Sequence, residues 1–417
     1  MQQNVIKQYG ETNAKIEKER NWIFISYVIF TVIVYVLPSM KIRVPYMMAA
    51  LLMLASFPFL ITRSERTFKY AMLLLFISLY YIIRYAFFST YGLSDAINEG
   101  IRNIRFFLPV LWGTYALNFL DKNRSRVFLL CFFVLVIYVL FNTLIALEGD
   151  PEIARLLAQG TASDSGAKLN SYRLSNIGGF EFSYMTGIIA LCLMWLFLVQ
   201  KNFWVKTSAL IGYVLTFYYI LQSQYTTLLL LTFIGTVFLL FKLKKNILFR
   251  IVLVLLGLIL IFSITDIFYF LSNVFEGSVL ERKFLQIANA LSTGNSEELG
   301  SRPGLLKNAL NVWLQNPVFG SYYENLNAHS LIMTILATTG LVGLGLWIYL
   351  VYISFHQIGR FLKQYKTGLP LFYCVTCYFL LLSFLNPIGY VFEITIVTYL
   401  IVPMFIKIFS RENIDAI

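Results

Sequence analysis

Two side chains in one polar stretch carry much of the chemistry this sequence offers. From Ser301 to Gly343 the chain reads SRPGLLKNALNVWLQNPVFGSYYENLNAHSLIMTILATTGLVG, which holds Arg302 and His329, one of only 2 histidines. Nearly everything around the stretch is compatible with hydrocarbon. A fixed cation and an imidazole that titrates near neutrality, held at a bilayer surface, point to chemistry on a lipid-linked anion. Pro303 suits an early helical position, where its missing N–H costs little. Leu306, Ala309, Leu310 and Trp313 form the apolar stripe of that helix, and Asn316-Pro317 should end it. Arg302 is then expected at a helix N-terminus, whose free N–H groups and dipole already favour an anion. His329 opens the next apolar segment, where a neutral imidazole can take a proton from a hydroxyl nucleophile. Just beyond it, Gly340, Gly343 and Gly345 would let a neighbouring helix approach closely. A single interfacial arginine is often only a headgroup anchor, and a single interfacial histidine a structural hydrogen-bonder. The combination and its spacing carry the case.

Other candidates lie upstream. SYRLSNIGGFEFSYMTG places Arg173 and Glu181 on either side of a Gly178-Gly179 turn. Arg84, Arg102 and Arg105 sit near the ends of two apolar segments, and Glu393 is the only acid well inside one. Glu181 and Glu324 are loop carboxylates that can serve as acid or base, with a solvated face as the plainer alternative. Cys374 and Cys377 form a CxxC on an apolar segment, where they act as small hydrophobes. His356, beside Gln357 and Arg360, reads as a solvated face residue. No metal or cofactor site is implied.

These residues must be positioned by membrane helices. The chain has 417 residues, is 59% hydrophobic and only 13% charged, with a mean hydropathy of +0.72. Apolar runs of about 20 residues recur along its length. Twelve are expected, at about 21–38, 44–62, 68–89, 101–119, 127–147, 182–200, 204–221, 225–241, 247–271, 329–355, 369–386 and 388–408. The fold class is therefore an all-α polytopic membrane protein, a single integral membrane domain over 1–417, with backbone hydrogen bonds closed inside each helix. If the polar segment 1–20 is cytoplasmic, 21 of the 33 Lys and Arg fall in the short inner loops. That bias puts both termini in the cytoplasm and the long loops 148–181 and 272–328 outside. In the second long loop, Leu280, Phe284, Ile287 and Leu291 make an amphipathic stretch expected along the membrane surface. The net charge of +12 is spread over these loops, so no nucleic-acid partner is expected. The first segment reads as an uncleaved anchor. No internal repeat suggests two transporter halves, and ionisable groups within the spans are scarce, which disfavours an ion-coupled transporter.

The ordered set Ser301, Arg302, Trp313, Asn316, Pro317, Gly320, His329, Gly340, Leu341 and Gly343 resembles the O-antigen ligase and Wzy-type polysaccharide polymerase family. The YRLSNIGGFEF segment also resembles that family's earlier arginine-bearing span start, and SQYTTLLLL its serine-led helix start. The likeness covers chiefly residues 170–345. It implies a GT-C-like helical fold with a large helical extracytoplasmic loop between spans 9 and 10. It further implies a metal-independent membrane glycosyltransferase of the bacterial cytoplasmic membrane, needing no cofactor. The substrate implied is an undecaprenyl-diphosphate-linked glycan, and partners are membrane lipids with a chain-length regulator and flippase of the same pathway. By the same resemblance Arg302 would stabilise the leaving diphosphate and His329 would assist proton transfer or orient the acceptor. Arg173 is the weaker second diphosphate ligand. The family commonly has arginine after the serine of the eighth span, and this chain has Ser223-Gln224-Tyr225. A substitute must come from Arg102, Arg105 or Arg173. Polymerase is the leading reading, ligase the second, and a non-enzymatic glycolipid or solute transporter the third.

Overall fold

A backbone amide in hydrocarbon must find its partner within its own segment, and this chain answers with helices throughout. The computed structural model describes residues 22, 24–26, 28–44, 65–88, 93–150, 153, 157, 166–244, 246, 248, 250–252, 255, 263–277, 279–293, 302–321, 326, 328–388 and 391–410. Every regular element among the described residues is helical. In chain order these are α1 (Phe24–Val36), α2 (Pro38–Arg43), α3 (Glu65–Phe88), α4 (Leu93–Phe119) and α5 (Lys122–Gly149). Then come α6 (Gly166–Leu174), α7 (Phe180–Val199), α8 (Phe203–Gln222), α9 (Thr226–Leu243), α10 (Ile264–Val274) and α11 (Val279–Thr293). The last are α12 (Arg302–Gln315), α13 (Leu331–Leu362), α14 (Leu369–Leu385) and α15 (Phe392–Phe409).

Seven of these, α3, α5, α7, α8, α9, α13 and α15, are long and apolar enough to cross a membrane, and α1 and α14 are shorter apolar helices. The expected segment 44–62 lies outside the described residues except for Val44, and 247–271 is described only in part, with α10 beginning at Ile264. α4 starts at Leu93, well before the apolar run near residue 101, and carries Glu99, Arg102 and Arg105 in its first half. Local chemistry sets the starts. The Asp121 side chain accepts from Arg124 N–H at 2.7 Å, Asn202 from Trp204 N–H at 2.9 Å, and Ser330 from Met333 N–H at 3.3 Å, each satisfying an orphan donor of a first turn.

The expected loop 272–328 contains two helices, α11 and α12, joined to turns among its described residues. Part of the amphipathic stripe of α11 is covered by the protein itself. Leu280 and Phe284 are buried, with the Phe284 ring 5.9 Å from Phe268 and 5.8 Å from Phe275. The stripe finds apolar partners on α10 first, while Leu291 stays exposed.

Two helices form the centre. α7 buries Tyr184 and Trp195, and α15 buries Phe392, Tyr399 and Phe405, all below 2% exposure. α15 contains a π turn at Val397–Ile401, which pushes the backbone toward α4. A Cβ on Gly113 of α4 would stand 1.8 Å from the Tyr399 carbonyl oxygen, so only glycine fits there.

Long-range hydrogen bonds sort the loops into two ends of the bundle. At one end Lys407 Nζ donates to the carbonyls of Ala116, Leu117 and Leu120 at 3.0, 2.9 and 2.6 Å. Gln200 donates to Phe409 O at 2.9 Å and Trp195 Nε1 to Thr367 O at 2.9 Å at that same end. Segments grouped by their basic residues near 120, 200, 367 and 409 therefore do share an end. The candidate site occupies the other.

Candidate functional site

At that second end, the motif Asn316-Pro-x-x-Gly320 and the later Thr339-Gly340-Leu-x-Gly343 meet as a joint. α13 is interrupted at Gly340, with φ 66° and ψ −166°. The break frees N–H groups, and the preceding turn takes them. Leu341 N–H donates to Pro317 O at 3.0 Å and Val342 N–H to Val318 O at 3.1 Å. Ser321 N–H donates to Ala337 O at 2.8 Å on the other side of the break. Arg84 of α3, buried, donates from Nε to Phe319 O at 3.0 Å and from Nη2 to Gly320 O at 2.7 Å. Trp313 Nε1 donates to Pro317 O at 3.0 Å. These conserve the backbone bonding that an uninterrupted helix would supply. At Gly340 the approach is by a turn, while at Gly343 the neighbouring helix α3 reaches the backbone, Tyr81 Oη donating to Gly343 O at 3.1 Å. A Cβ on Gly340 would lie 2.3 Å from Val318 O, whereas one on Gly343 would meet its own Thr339 side chain and one on Gly345 would meet nothing within 4 Å.

Charged residues gather around a cavity of about 370 Å³ lined by Lys41, Arg173, Gly179, Glu181 and Glu393, among apolar neighbours. α2 brings Lys41. Pro38 begins that helix, and Ser39 N–H donates to Asn176 Oδ1 at 3.1 Å, tying it to the turn between α6 and α7. In that turn Asn176 takes φ 57°, and Gly178 N–H donates to Thr143 Oγ1 at 2.7 Å. Arg173 ends α6, while Glu181 and Glu393 stand in the first turns of α7 and α15, where helix dipoles favour carboxylates. Lys41 bridges both acids. It contacts Glu393 directly and lies 3.6 Å from Glu181. The Glu393 side chain is 3% exposed and that of Glu181 is 39% exposed. Attraction grows as water is excluded, so Glu393 is the stronger hold on Lys41, and Glu181 is the carboxylate a ligand can reach. The second Glu393 oxygen, Oε2, is buried without a hydrogen-bond partner. Arg105 of α4 acts electrostatically on Tyr35, another residue lining the cavity.

Not every expected residue joins this group. Arg102 pairs with Glu99 and lines a smaller cavity of about 100 Å³ with Asn103, Thr334, Thr338 and Trp347. His329, half-buried with φ 48°, lines neither cavity. It precedes Ser330, the α13 cap, and Leu331, whose N–H donates to Asn386 O at 3.1 Å and whose side chain reaches the smaller cavity. α12 begins at Arg302 and ends at Gln315, before Asn316-Pro317, as the sequence suggests. The Arg302 side chain, Glu324, Tyr322 and Tyr323 lie outside the described residues. Ser223-Gln224-Tyr225 turns into α9 with Gln224 at φ 57°, and the Tyr225 ring lies 6.2 Å from Phe180 and 6.1 Å from Tyr184, beside the start of α7. Cys374 is buried and free, Cys377 exposed and free, and His356 is exposed and stacked on Tyr352.

Sequence reasoning found Arg105, Arg173 and Glu181 but missed Lys41, Glu393 and Tyr35 as partners. A signal was present. Lys41 falls in a segment that the expected charge bias assigns to the cation-poor side, and a cation against that bias calls for a local anion. No family model matches the chain, and no curated protein matches it at a significant level.

Proposed function

We propose that the protein is a polysaccharide polymerase, extending an O-antigen or capsule repeat-unit glycan carried on undecaprenyl diphosphate. In this reading the helices form a GT-C-like fold of about twelve spans, both termini are cytoplasmic, and the cavity opens on the outer face of the bacterial cytoplasmic membrane. The observation that carries it is the cavity of about 370 Å³ lined by Lys41, Arg173 and Glu181, with Arg105 acting electrostatically on its lining residue Tyr35. Its size falls in the range of small-molecule sites. Its cations suit a diphosphate, which gains charge as the anomeric bond to the sugar breaks. Lys41, Arg173 and Arg105 hold the diphosphate, Arg302 adds a further donor from the start of α12, and His329 orients the acceptor. No step needs a metal.

Deletion of the gene tests the reading. A polymerase mutant keeps surface glycans of a single repeat. Bare lipid A core with carrier-linked polymer accumulating would mark a ligase instead. Single units trapped on the inner face would mark a transporter, and unchanged glycans would end all three readings. Glycan ladders on gels, with extraction of carrier lipids, distinguish these outcomes.

A further inference from the structure

Two carboxylates face Lys41, and their surroundings separate their tasks. Glu393 is buried in the first turn of α15 and is committed to Lys41. Glu181 is held more loosely, at 3.6 Å, and its side chain is 39% exposed. Gly179, without a side chain, leaves the approach to it open, since a Cβ there would stand 3.7 Å from Glu181 Oε2. Arg173 lines the same cavity and acts electrostatically on Glu181. A reachable carboxylate beside fixed cations is the pairing that glycosyl transfer from a diphosphate requires, one group for the proton and the others for the leaving charge.

We infer that Glu181 is the general base of the transfer, an assignment that rests on the polymerase reading. The acceptor hydroxyl oxygen attacks the anomeric carbon of the donor, forming the new glycosidic bond. The bond from that carbon to the diphosphate oxygen breaks, and its electron pair leaves with the diphosphate, held by Lys41 and Arg173. The hydroxyl proton passes to Glu181. Atoms and charge balance without a metal or a further reactant. The arrangement also orders the events. Lys41 and Arg173 attract the Glu181 carboxylate as well as the leaving diphosphate. A bound diphosphate neutralises those cations and leaves the carboxylate free to take a proton. His329, which lines neither cavity, orients the acceptor and does not accept the proton.

The test uses the full-length protein in proteoliposomes, with lipid-linked repeat units extracted from the deletion strain as substrate. Glu181→Gln and Glu181→Ala should each slow extension by about a hundredfold or more. Added formate should restore the Ala variant by about tenfold, as an external base filling the vacated space. It should leave the wild type and Glu393→Ala unchanged. Inorganic pyrophosphate should still inhibit the residual activity of the Ala variant at the concentration that inhibits the wild type. A Gln variant within about threefold of wild type overturns the base role. So does an Ala variant that formate does not rescue or pyrophosphate no longer inhibits, because Glu181 would then serve only to place Lys41. These outcomes leave the polymerase reading standing, which the single-repeat phenotype of the deletion strain tests separately.

Discussion

Lys41 shows how one side chain can complete a site that its own neighbourhood in the chain does not announce. It sits in PSMKIR, a six-residue helix, and meets Glu393 far along the chain. Replacing Lys41 or Arg173 by Ala should slow glycan extension by about a hundredfold to a thousandfold each, the usual effect of removing one fixed donor from a developing charge. Rates on extracted lipid-linked repeat units check this, and wild-type rates would remove both residues from the site. Arg302→Ala and His329→Ala should each cripple chain extension with protein levels intact. Normal polymer ladders from either would end its assignment. Arg173, Glu181 and Arg105 were legible because their types stand out in apolar surroundings at segment ends. Lys41 and Glu393 were not legible as a pair, since a contact between α2 and α15, more than 300 residues apart, leaves no spacing to read. The left-handed backbone at Asn176, Gln224 and His329 was equally hidden. Such conformations are uncommon outside glycine and gather where function constrains a turn.

The elements themselves were the most readable level. Lengths and starts of α7, α8, α9 and α14 fall within a few residues of the apolar runs, because a hydrocarbon-spanning helix must be apolar and about 20 residues long. The joint in α13 was unreadable for the same reason. A span that is apolar all round gives no periodicity to mark its break, so Gly340 looked like part of a helix crossing. Its role predicts a contrast. Gly340→Ala and Gly320→Ala should prevent folding, since each combines a positive φ with a Cβ at 2.5 Å or less from backbone atoms. Gly345→Ala should be neutral or stabilise by up to about 1 kcal/mol, as alanine does within a helix. Thermal unfolding of the purified variants in detergent checks both sides. Arg84→Lys should loosen the turn, because an ammonium cannot reproduce the two parallel N–H bonds of the guanidinium.

At the scale of the whole molecule, α7 and α15 form a central pair whose first turns hold Glu181 and Glu393 at one end. The opposite end is fixed by Lys407, which caps the final carbonyls of α4. Lys407→Met should lower stability by about 2 kcal/mol or more, through buried carbonyls left without a donor. Thermal unfolding measures the loss, and an unchanged midpoint would contradict it. The shared end of the segments near 120, 200, 367 and 409 was legible from charge, whereas the pairing of helices within the bundle was not, because lipid-facing and buried surfaces are alike apolar. The Arg84 clamp sets a timetable for biogenesis. Its acceptors are 235 and 236 residues downstream, so at ordinary synthesis rates of about 5–20 residues per second the guanidinium waits roughly 10–50 s for them. During that interval α3 holds a charge with no turn to bind, and water, headgroups or the insertion machinery must shelter it. Assembly of this end of the protein is therefore a late event, reached only after most of the chain has been made.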